Sequence, residues 1–405
     1  MGALGAKEFG DELRRLMEAR GLGVRELARR VPCSGGYVTQ LRNGQKRPLE
    51  QIARRLDDVL DAGGRLTRIA RKLSLRPGSC RSDVLYVSGL AMPDQAMRAR
   101  LGKLSAAEAE ELIAHLGDQW HVLVKADNLL GPRHALGSVT ADLGVINALL
   151  RAVRPPIRQS VLSLGARYAE SASWLYEDSA DMAGARHWAR RALEWALEGN
   201  DRLMVSWALF RSSQHASADR DAARAADLAA AARRQGSGLP GPMVAAILQQ
   251  EAHVHAMDGD ERMCHRALDR AHLLAAAEDD PGDASAGHGS FCTPAYLEMQ
   301  RGGCWLMLGR PRQALAALNA GLGALPTAYR RDRGVGVSWL AAALAASGEH
   351  AEAATVAMEA LCVARESGSG RVLSMISPVA AGLAGHGGNE AVARLREALA
   401  ETPAV

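Results

Sequence analysis

The chain has 405 residues, of which 48% are hydrophobic and only 4% are aromatic, and its formal net charge is +4. This length suits two or three domains rather than one small domain. Because helix formers are abundant and β-branched and aromatic residues are sparse, we expect an all-α protein. The six cysteines are scattered without a CxxC pair, which argues against a disulfide framework or a zinc knuckle.

The charge is unevenly distributed along the chain. Residues 1–76 contain 17 Lys and Arg against 9 Asp and Glu, whereas residues 77–405 contain 32 against 36. A basic head on a mildly acidic body predicts that the head binds a polyanion. The sequence has no uninterrupted apolar run long enough to span a membrane and no apolar core of a signal peptide, so we expect a cytoplasmic protein without a membrane partner.

Residues 1–73 are expected to form the first domain, built from short helices. Helix breaks at Gly and Pro residues, together with a Ser N-cap, divide this domain into its helices. The predicted helices are Lys7–Arg20, Val24–Arg30, a third from Ser34 to the Asn43-Gly44 pair, a fourth from Pro48 to Leu60, and a last turn over Arg65–Leu73.

The segment VRELARRVPCSGGYVTQLRNG, residues 24–44, carries the most specific signal in the chain. Leu27 and Ala28 lie on the packing side of the second helix, and Val38 and Leu41 can pack back onto it from the third. Over residues 7–72 the chain resembles the helix-turn-helix of the phage-repressor/XRE superfamily. LDDVLDAGGRLTRIA, residues 56–70, is similar to the fourth-helix signature of its actinobacterial members.

The resemblance implies that the exposed start of the third helix reads DNA bases. The residues at these places are Ser34, Gly35, Gly36, Tyr37, Thr39 and Gln40. The Gln40 amide suits adenine and Thr39 offers a hydroxyl or a methyl group, while Arg42, Lys46 and Arg47 suit phosphate contacts. Gly35 and Gly36 stand where relatives carry side chains. We therefore expect few direct contacts to bases and a larger contribution of DNA shape to recognition.

Residues 74–156 are expected to be a linker followed by connector helices. The linker contains Pro77-Gly78, a short β-like run at Val84–Val87 and Pro93. Ser105 and Glu108 form a capping box that opens a helix to about Leu116. Further helices are predicted over Trp120–Leu130 and Ala135–Val153.

Residues 157–405 are expected to form a solenoid of six helix pairs with small residues at three recurring places. The predicted units start at Ala166, Leu203, Ala245, Ala295, Gly334 and Val372, with an insert at Asp279–Ser290. Small side chains let antiparallel helices nest closely. The pattern resembles the tetratricopeptide (TPR) repeat, although Phe210 departs from it in the second unit. An Ala-rich bundle without regular repeats is the alternative.

In the TPR family, fixed places on the first helix of each unit line a concave groove. In the first three units they predict these ligand-binding residues: Arg167, Glu170, Trp174, Trp207, Arg211, Gln214, Gln249 and His253. Aromatic, amide and charged groups in this pattern suit an extended peptide or a small amphipathic ligand. Alternatively, Trp174 and Trp207 only pack between helices. We assign Trp188 and Trp195, on the second helix of the first unit, to the core.

Metal binding and catalysis find little support in the sequence. The candidate metal ligands are His253, His255, Cys264, His265, His272 and Cys292. No HExxH, CxxC, phosphate-binding glycine loop or GxSxG supports a metal site or a catalytic centre. We therefore expect no cofactor, no metal and no enzymatic activity.

A helix-turn-helix head on a TPR-like body resembles the RRNPP-type peptide-sensing regulators of Gram-positive bacteria, and more closely an actinobacterial XRE-family regulator with C-terminal TPR repeats. This resemblance implies a homodimeric quorum-sensing transcription factor. Two third helices would occupy operator half-sites on double-stranded DNA, and a peptide or small signalling ligand would control binding. The alternative is a TPR interaction scaffold whose helix-turn-helix head does not read DNA.

Overall fold

The computed structural model describes residues 2–31, 35–46, 48, 50–74, 95–235, 238–276, 288–327 and 329–402. The chain divides into two compact units, an N-terminal unit of residues 1–81 and a C-terminal unit of residues 82–405. Every regular element within the described ranges is a helix. The all-α fold class expected from composition is therefore confirmed.

In the part of the N-terminal unit that the structure describes, five helices surround one core. They are α1 (Gly2–Ala19), α2 (Val24–Arg30), α3 (Gly35–Arg42), α4 (Glu50–Leu60) and α5 (Arg65–Ser74). These match the predicted order, with α1 beginning five residues earlier than expected. Leu27, Val38 and Leu41 are fully buried, so α2 and α3 pack on each other as their apolar spacing predicts.

Two local contacts fix the ends of these helices. Asp57 on α4 is buried and accepts hydrogen bonds from the backbone nitrogens of Leu66 (2.9 Å) and Thr67 (2.8 Å), so it caps the start of α5. Gly10 on α1 faces the end of α3, where an added Cβ would lie 2.8 Å from the carbonyl oxygens of Leu41 and Arg42. Only glycine allows the two backbones to approach this closely.

The other helices of the described ranges belong to the C-terminal unit. They are α6 (Gln95–Leu101), α7 (Ala106–Leu130), α8 (Pro132–Ala152), α9 (Ile157–Asp178), α10 (Met182–Glu198), α11 (Arg202–Ala218), α12 (Ala222–Arg234), α13 (Gly241–Met257), α14 (Glu261–Ala275), α15 (Pro294–Met307), α16 (Pro311–Ala324), α17 (Arg330–Ala346), α18 (His350–Ser367), α19 (Gly370–Gly382) and α20 (Glu390–Ala400), with a 3-10 turn at Ala384–His386. None of the described helices is both long and apolar enough to cross a bilayer.

The connector differs from its prediction in two main respects. The first is α6, a helix over Gln95–Leu101 where only a linker was expected. The second concerns the helix that follows. The capping box forms, since the Ser105 side chain accepts from the Glu108 nitrogen and the Glu108 side chain from the Ser105 nitrogen. However, α7 then runs unbroken to Leu130 instead of ending near Leu116. Gly117 lies in open space inside the helix, and an isolated glycine weakens a helix without ending it. The β-like run at Val84–Val87 lies outside the described residues.

Helices α9 to α18 pack as five consecutive pairs, which confirms the solenoid, whereas α20 of the predicted sixth unit packs mainly on α18 and not on α19. The predicted small residues are buried in most units; Ser173, Ala185 and Ala192 of the first are fully buried. Ser173 Oγ donates to the Ala185 carbonyl across the pair at 2.8 Å. Close packing of small side chains therefore joins the helices of a pair, as predicted.

In the second unit the register is three residues later than predicted. Ser213 there repeats the bond of Ser173, donating to the Ala225 carbonyl at 2.7 Å. Ser213, Ala225 and Ala232 are all fully buried. The departure at Phe210 thus comes from the register and not from an irregular unit. Most of the predicted insert at Asp279–Ser290 lies outside the described residues.

The end of the solenoid returns to its beginning. Helices α17 and α18 contact α7, and α19 contacts α9. At Gly131, between α7 and α8, an added Cβ would lie 1.8 Å from the Ser367 carbonyl oxygen at the end of α18. The Ser369 hydroxyl donates to Asp178 on α9 at 2.7 Å. This closure places side chains from distant parts of the sequence around one cavity.

Candidate functional site

In the N-terminal unit, α3 presents one face inward and the other outward. Val38 and Leu41 are fully buried, whereas Gly36 and Gln40 are exposed. A helix whose inner face packs on a core and whose outer face carries an exposed amide has the geometry needed to enter a major groove.

The flanking cations surround the end of the same helix. Lys46 is exposed, and its ammonium lies 5.1 Å from the centroid of the half-buried Tyr37 ring. Arg42 is half-buried at the last turn of α3. Ser34 and Arg47 lie outside the described residues. DNA contact by the nine predicted residues stays a prediction.

The C-terminal unit encloses a cavity of about 290 Å³, here called the central cavity. It lies between α7, α9, α11, α15, α17 and α19, with residues 288–291 against one side. Its wall includes six of the sixteen aromatic residues of the chain. These are Trp120, Trp174, Trp207, Phe291, Tyr296 and Tyr329. Such a concentration, in a chain with 4% aromatics, marks the cavity as a candidate ligand site.

The polar end of the central cavity is organised around Trp174. Three guanidinium groups lie near its indole centroid, Arg331 at 4.9 Å, Arg211 at 5.0 Å and Arg371 at 5.5 Å. The indole nitrogen donates to Asp127 Oδ2 at 3.3 Å. Cation–π contacts of this kind hold both the ring and the guanidinium groups in place.

Two of these arginines have close carboxylate partners. Arg211 Nη2 lies 2.7 Å from Glu170 Oε1, and both side chains are 7% exposed. Arg331 Nη1 lies 2.6 Å from Asp127 Oδ2 and 3.5 Å from Asp178 Oδ2. These buried pairs link α9 to α11 and α17 to α7 and α9.

Arg371 is held more weakly. Its guanidinium lies 3.9 Å from Glu177 Oε1, and its side chain is 29% exposed. Burial opposes ionisation of Glu177, but His215, whose Nε2 lies 3.3 Å away, together with Arg371 and Arg211 outweighs it and lowers the pKa to about 2. Glu177 is therefore ionised at neutral pH.

Burial has the opposite net result at two other carboxylates. It raises the pKa of Asp127 despite the contact with Arg331. It also raises the pKa of Asp332, against the opposing charges of Arg331 and Arg371. Burial likewise lowers the pKa of His288, whose ring centroid lies 5.2 Å from that of Trp207, so this imidazole is neutral.

The structure brings together five of the eight predicted ligand-binding residues. Glu170, Trp174, Trp207, Arg211 and Gln214 all line the central cavity. Their contact with a ligand stays a prediction. Trp207 also packs on Phe210, with ring centroids 4.6 Å apart, so it both packs between helices and faces the cavity.

The other three predicted residues do not line the central cavity. The Arg167 guanidinium stacks 5.2 Å from the Trp120 centroid. Gln249 is buried and donates to Gln300 Oε1 at 3.3 Å. His253 lies with its ring centroid 6.2 Å from that of Trp339. Trp188 and Trp195 are buried, as assigned.

Sequence reasoning missed the contributions of α7, α17 and α19. Trp120, Asp127, Arg331, Asp332 and Arg371 all line the cavity. The helical spacing of Trp120, Leu123 and Asp127 marks one face of α7. However, nothing local predicts that this face meets helices more than 200 residues later.

The candidate metal ligands are not gathered into one site. His272 Nε2 lies 3.4 Å from Glu298, and the His265 ring packs at a tilt against Trp305 with centroids 3.9 Å apart. No cluster of three or more metal-ligating side chains occurs in the part of the chain that the structure describes.

Comparison with known proteins gives a match for the N-terminal unit. None of the curated proteins matches the chain. Among solved structures, it is similar to Bacillus thuringiensis PlcR in complex with the peptide PapR7 and DNA, with a TM-score of 0.32 and 14% identity, over 93% of this chain and 99% of that one. Residues 8–68 match the family model described as "Helix-turn-helix domain". The N-terminal unit is therefore a helix-turn-helix DNA-binding domain.

Proposed function

We propose that the chain is a transcriptional regulator that binds operator DNA through α3 as a homodimer. A peptide or a small molecule in the central cavity controls this binding. The observation that carries the proposal is the helix-turn-helix match over residues 8–68, within which Gln40 points away from a buried core.

Charge supports the DNA-binding part. The excess of Lys and Arg lies in the first 76 residues and the excess of Asp and Glu in the rest. Counterion release from DNA then favours binding by the N-terminal unit. Two such units in a dimer would place their α3 helices on half-sites about 10 base pairs apart.

The central cavity supports the ligand-controlled part. Its volume of about 290 Å³ is near the lower end of small-molecule pockets, roughly 300 Å³ and above. Its wall combines apolar rings with a few convergent charges. Because α9 and α19 both contribute to the wall, a guest there would contact the first helix of the solenoid and a helix near its end at once.

Fluorescence anisotropy with a labelled duplex from the region upstream of its own gene tests the DNA-binding part. Substituting Gln40→Ala should reduce discrimination against random DNA by about 1–3 kcal/mol. Substituting Arg42→Ala should weaken binding to both duplexes alike and lower the salt slope by about one unit. Gln95→Ala and Arg266→Ala, on exposed sites in the C-terminal unit, are the matched controls.

The same experiment decides between the regulator and the interaction scaffold. The exposed Gly36 on α3 favours the scaffold, because glycine offers no base-reading group. Equal, weak affinity of the wild type for both duplexes at all salt concentrations would favour the scaffold and contradict the regulator.

A further inference from the structure

The wall of the central cavity carries more positive than negative side chains. Among the described residues, five cations and three carboxylates line it. The cations are Lys125, Arg211, Arg330, Arg331 and Arg371. Two further carboxylates, Glu177 and Asp178, do not line the cavity but contact these arginines. The charge balance alone therefore does not specify a guest, and the hydrogen bonds of each arginine must be compared.

The buried arginines differ in how far the protein satisfies their hydrogen-bond donors. Arg211 donates twice to Glu170, at 3.0 and 2.7 Å, and Arg331 donates to Asp127 at 2.7 Å. Arg371 donates to no acceptor within the described part of the chain, and the carboxylate nearest to it is 3.9 Å away. A guanidinium presents its donors in a planar fork, so Arg371 can bind one carboxylate through two parallel hydrogen bonds.

Tyr296 supplies a further donor on the same wall. Its side chain is buried and lines the central cavity, and its hydroxyl makes no hydrogen bond within the described ranges. Burial raises the pKa of this hydroxyl, and the nearby charge of Arg371 only partly opposes the rise. The hydroxyl is therefore neutral at pH 7 and can donate to a carboxylate that Arg371 holds.

The other unpaired charges of the wall do not oppose an anion strongly. Lys125, which is exposed on α7, adds a positive charge. Asp332 lines the wall without an ion pair among the described residues. Burial raises the pKa of Asp332, against the charges of Arg331 and Arg371. This shift favours the uncharged carboxyl group and so weakens its repulsion of an anion beside Arg371.

The apolar part of the wall suits an aromatic ring. Trp120, Trp207 and Phe291 line the cavity, and aromatic side chains pack well against other rings. The Trp174 ring is already surrounded by guanidinium groups. A guest ring would therefore lie against the other aromatic side chains.

We propose that the central cavity binds a carboxylate joined to an aromatic ring, with the carboxylate on the Arg371 guanidinium and the Tyr296 hydroxyl. This inference rests on the proposed function and specifies its ligand. The same chemistry occurs in a free aromatic acid and at the C-terminus of a peptide that ends with an aromatic residue.

A matched set of probes tests the charge of the guest. Phenylpropanoate, phenylpropanol and phenylpropylamine share a ring and a linker and differ in charge. All seven tryptophans lie in the C-terminal unit, so their fluorescence in the full chain reports binding there. We expect phenylpropanoate to bind at least about tenfold more tightly than phenylpropylamine, with phenylpropanol between them.

Substituting Arg371→Met tests the position of the carboxylate. It should reduce the affinity for phenylpropanoate to about that for phenylpropanol and change phenylpropanol binding far less. Arg266→Met, at an exposed site on α14, should change neither affinity. Tryptophan fluorescence on heating checks that both variants are folded. Equal losses for both probes in folded Arg371→Met would contradict the proposal.

Tyr296→Phe tests the same site with a smaller change, because it keeps the ring and removes only the hydroxyl. It should weaken phenylpropanoate binding by up to about tenfold. Arg371→Lys keeps the charge but not the planar fork, so its affinity for phenylpropanoate should lie between those of the wild type and Arg371→Met. Wild-type affinity for phenylpropanoate in both variants would contradict the assigned contacts.

Two further probes distinguish the sources of the carboxylate. N-acetyl-Ala-Ala-Phe and its C-terminal amide present the same ring with and without a free carboxylate. Tighter binding of the peptide acid than of phenylpropanoate indicates a peptide C-terminus, and the reverse indicates a free aromatic acid.

Equal or tighter binding of phenylpropylamine than of phenylpropanoate would overturn the inference while leaving a ligand-controlled regulator intact. Failure of phenylpropanoate and the peptide acid to bind the wild type at millimolar concentration would also overturn it. Loss of the proposed function would instead appear as absent DNA discrimination in the anisotropy experiment, which needs no probe.

Discussion

Gly10 determines how closely α1 approaches the end of α3. A methyl group at this position would collide with the carbonyl oxygens of Leu41 and Arg42, which are backbone atoms that side-chain rotation cannot move. We expect Gly10→Ala to destabilise the N-terminal unit by about 1–3 kcal/mol.

Hydrogen exchange of peptides from residues 1–74 measures this effect without contribution from the C-terminal unit. Gly117→Ala, in open space inside α7, is the matched control. It should leave the exchange of these peptides unchanged and should stabilise α7 slightly, by up to about 1 kcal/mol. Unchanged exchange in Gly10→Ala would show that α1 and α3 do not pack as described.

Glu177 predicts a specific dependence of stability on pH. Its pKa in the folded chain is about 2, below the ordinary value of 4.5. Its ionised form therefore stabilises the fold above about pH 4.5, and this contribution is lost as the pH falls through 2. Glu177→Gln should be less stable at pH 7, and the difference from wild type should shrink by about 3 kcal/mol on acidification.

Urea unfolding followed by tryptophan fluorescence at several pH values measures that difference. Asp227→Asn, at an exposed carboxylate, supplies the control for the removal of one surface carboxylate. A difference between wild type and Glu177→Gln that stays constant from pH 7 to about pH 2 would contradict the assigned ionisation.

Single residues in local patterns were predictable, and residues that act through long-range contacts were not. The apolar spacing of Val38 and Leu41 predicted that Gln40 points outward. Arg371 and Asp332 gave no signal, because an isolated charge in a helix is normally a solvent-exposed side chain. Their role depends on closure of the solenoid.

Arg331 joins separate elements of the C-terminal unit. It connects the start of α17 to Asp127 on α7 and Asp178 on α9. Removing one member of a buried ion pair leaves uncompensated charge, at a cost of about 3–5 kcal/mol. We expect Arg331→Met to lower the unfolding free energy of this unit by about that amount.

The neighbouring Arg330 supplies the control. Its side chain is 53% exposed and pairs with the exposed Glu366, so Arg330→Met should cost at most about 1 kcal/mol. Urea unfolding followed by tryptophan fluorescence compares the two variants. Equal stabilities would show that the contact between α17 and α7 adds little.

Helices were predictable wherever caps and breakers are local. The capping box at Ser105 and the bounds of α2 follow directly from residue types and their spacing. The predicted break near Leu116 was wrong, because α7 continues through Gly117. The register of the second unit was misplaced, since Ala-rich helices offer many alternative small residues at similar spacing.

For the whole molecule, fold class and repeat architecture followed from composition and periodicity. Each helix pair is a local unit, so its sequence pattern is sufficient to predict it. The central cavity required more, because it forms where α7 and α9 meet α17 and α19. Whether these helices meet depends on the angle between successive helix pairs. No pattern in a single sequence allows that angle to be predicted.

The central claim is that α3 reads operator DNA in a dimer. DNase I footprinting of the region upstream of the protein's own gene tests this claim most directly. Wild type and Gln95→Ala should protect two half-sites about 10 base pairs apart at one concentration, and Gln40→Ala should protect neither there. Absence of any protected site in wild type, or an identical footprint with Gln40→Ala, would contradict the claim.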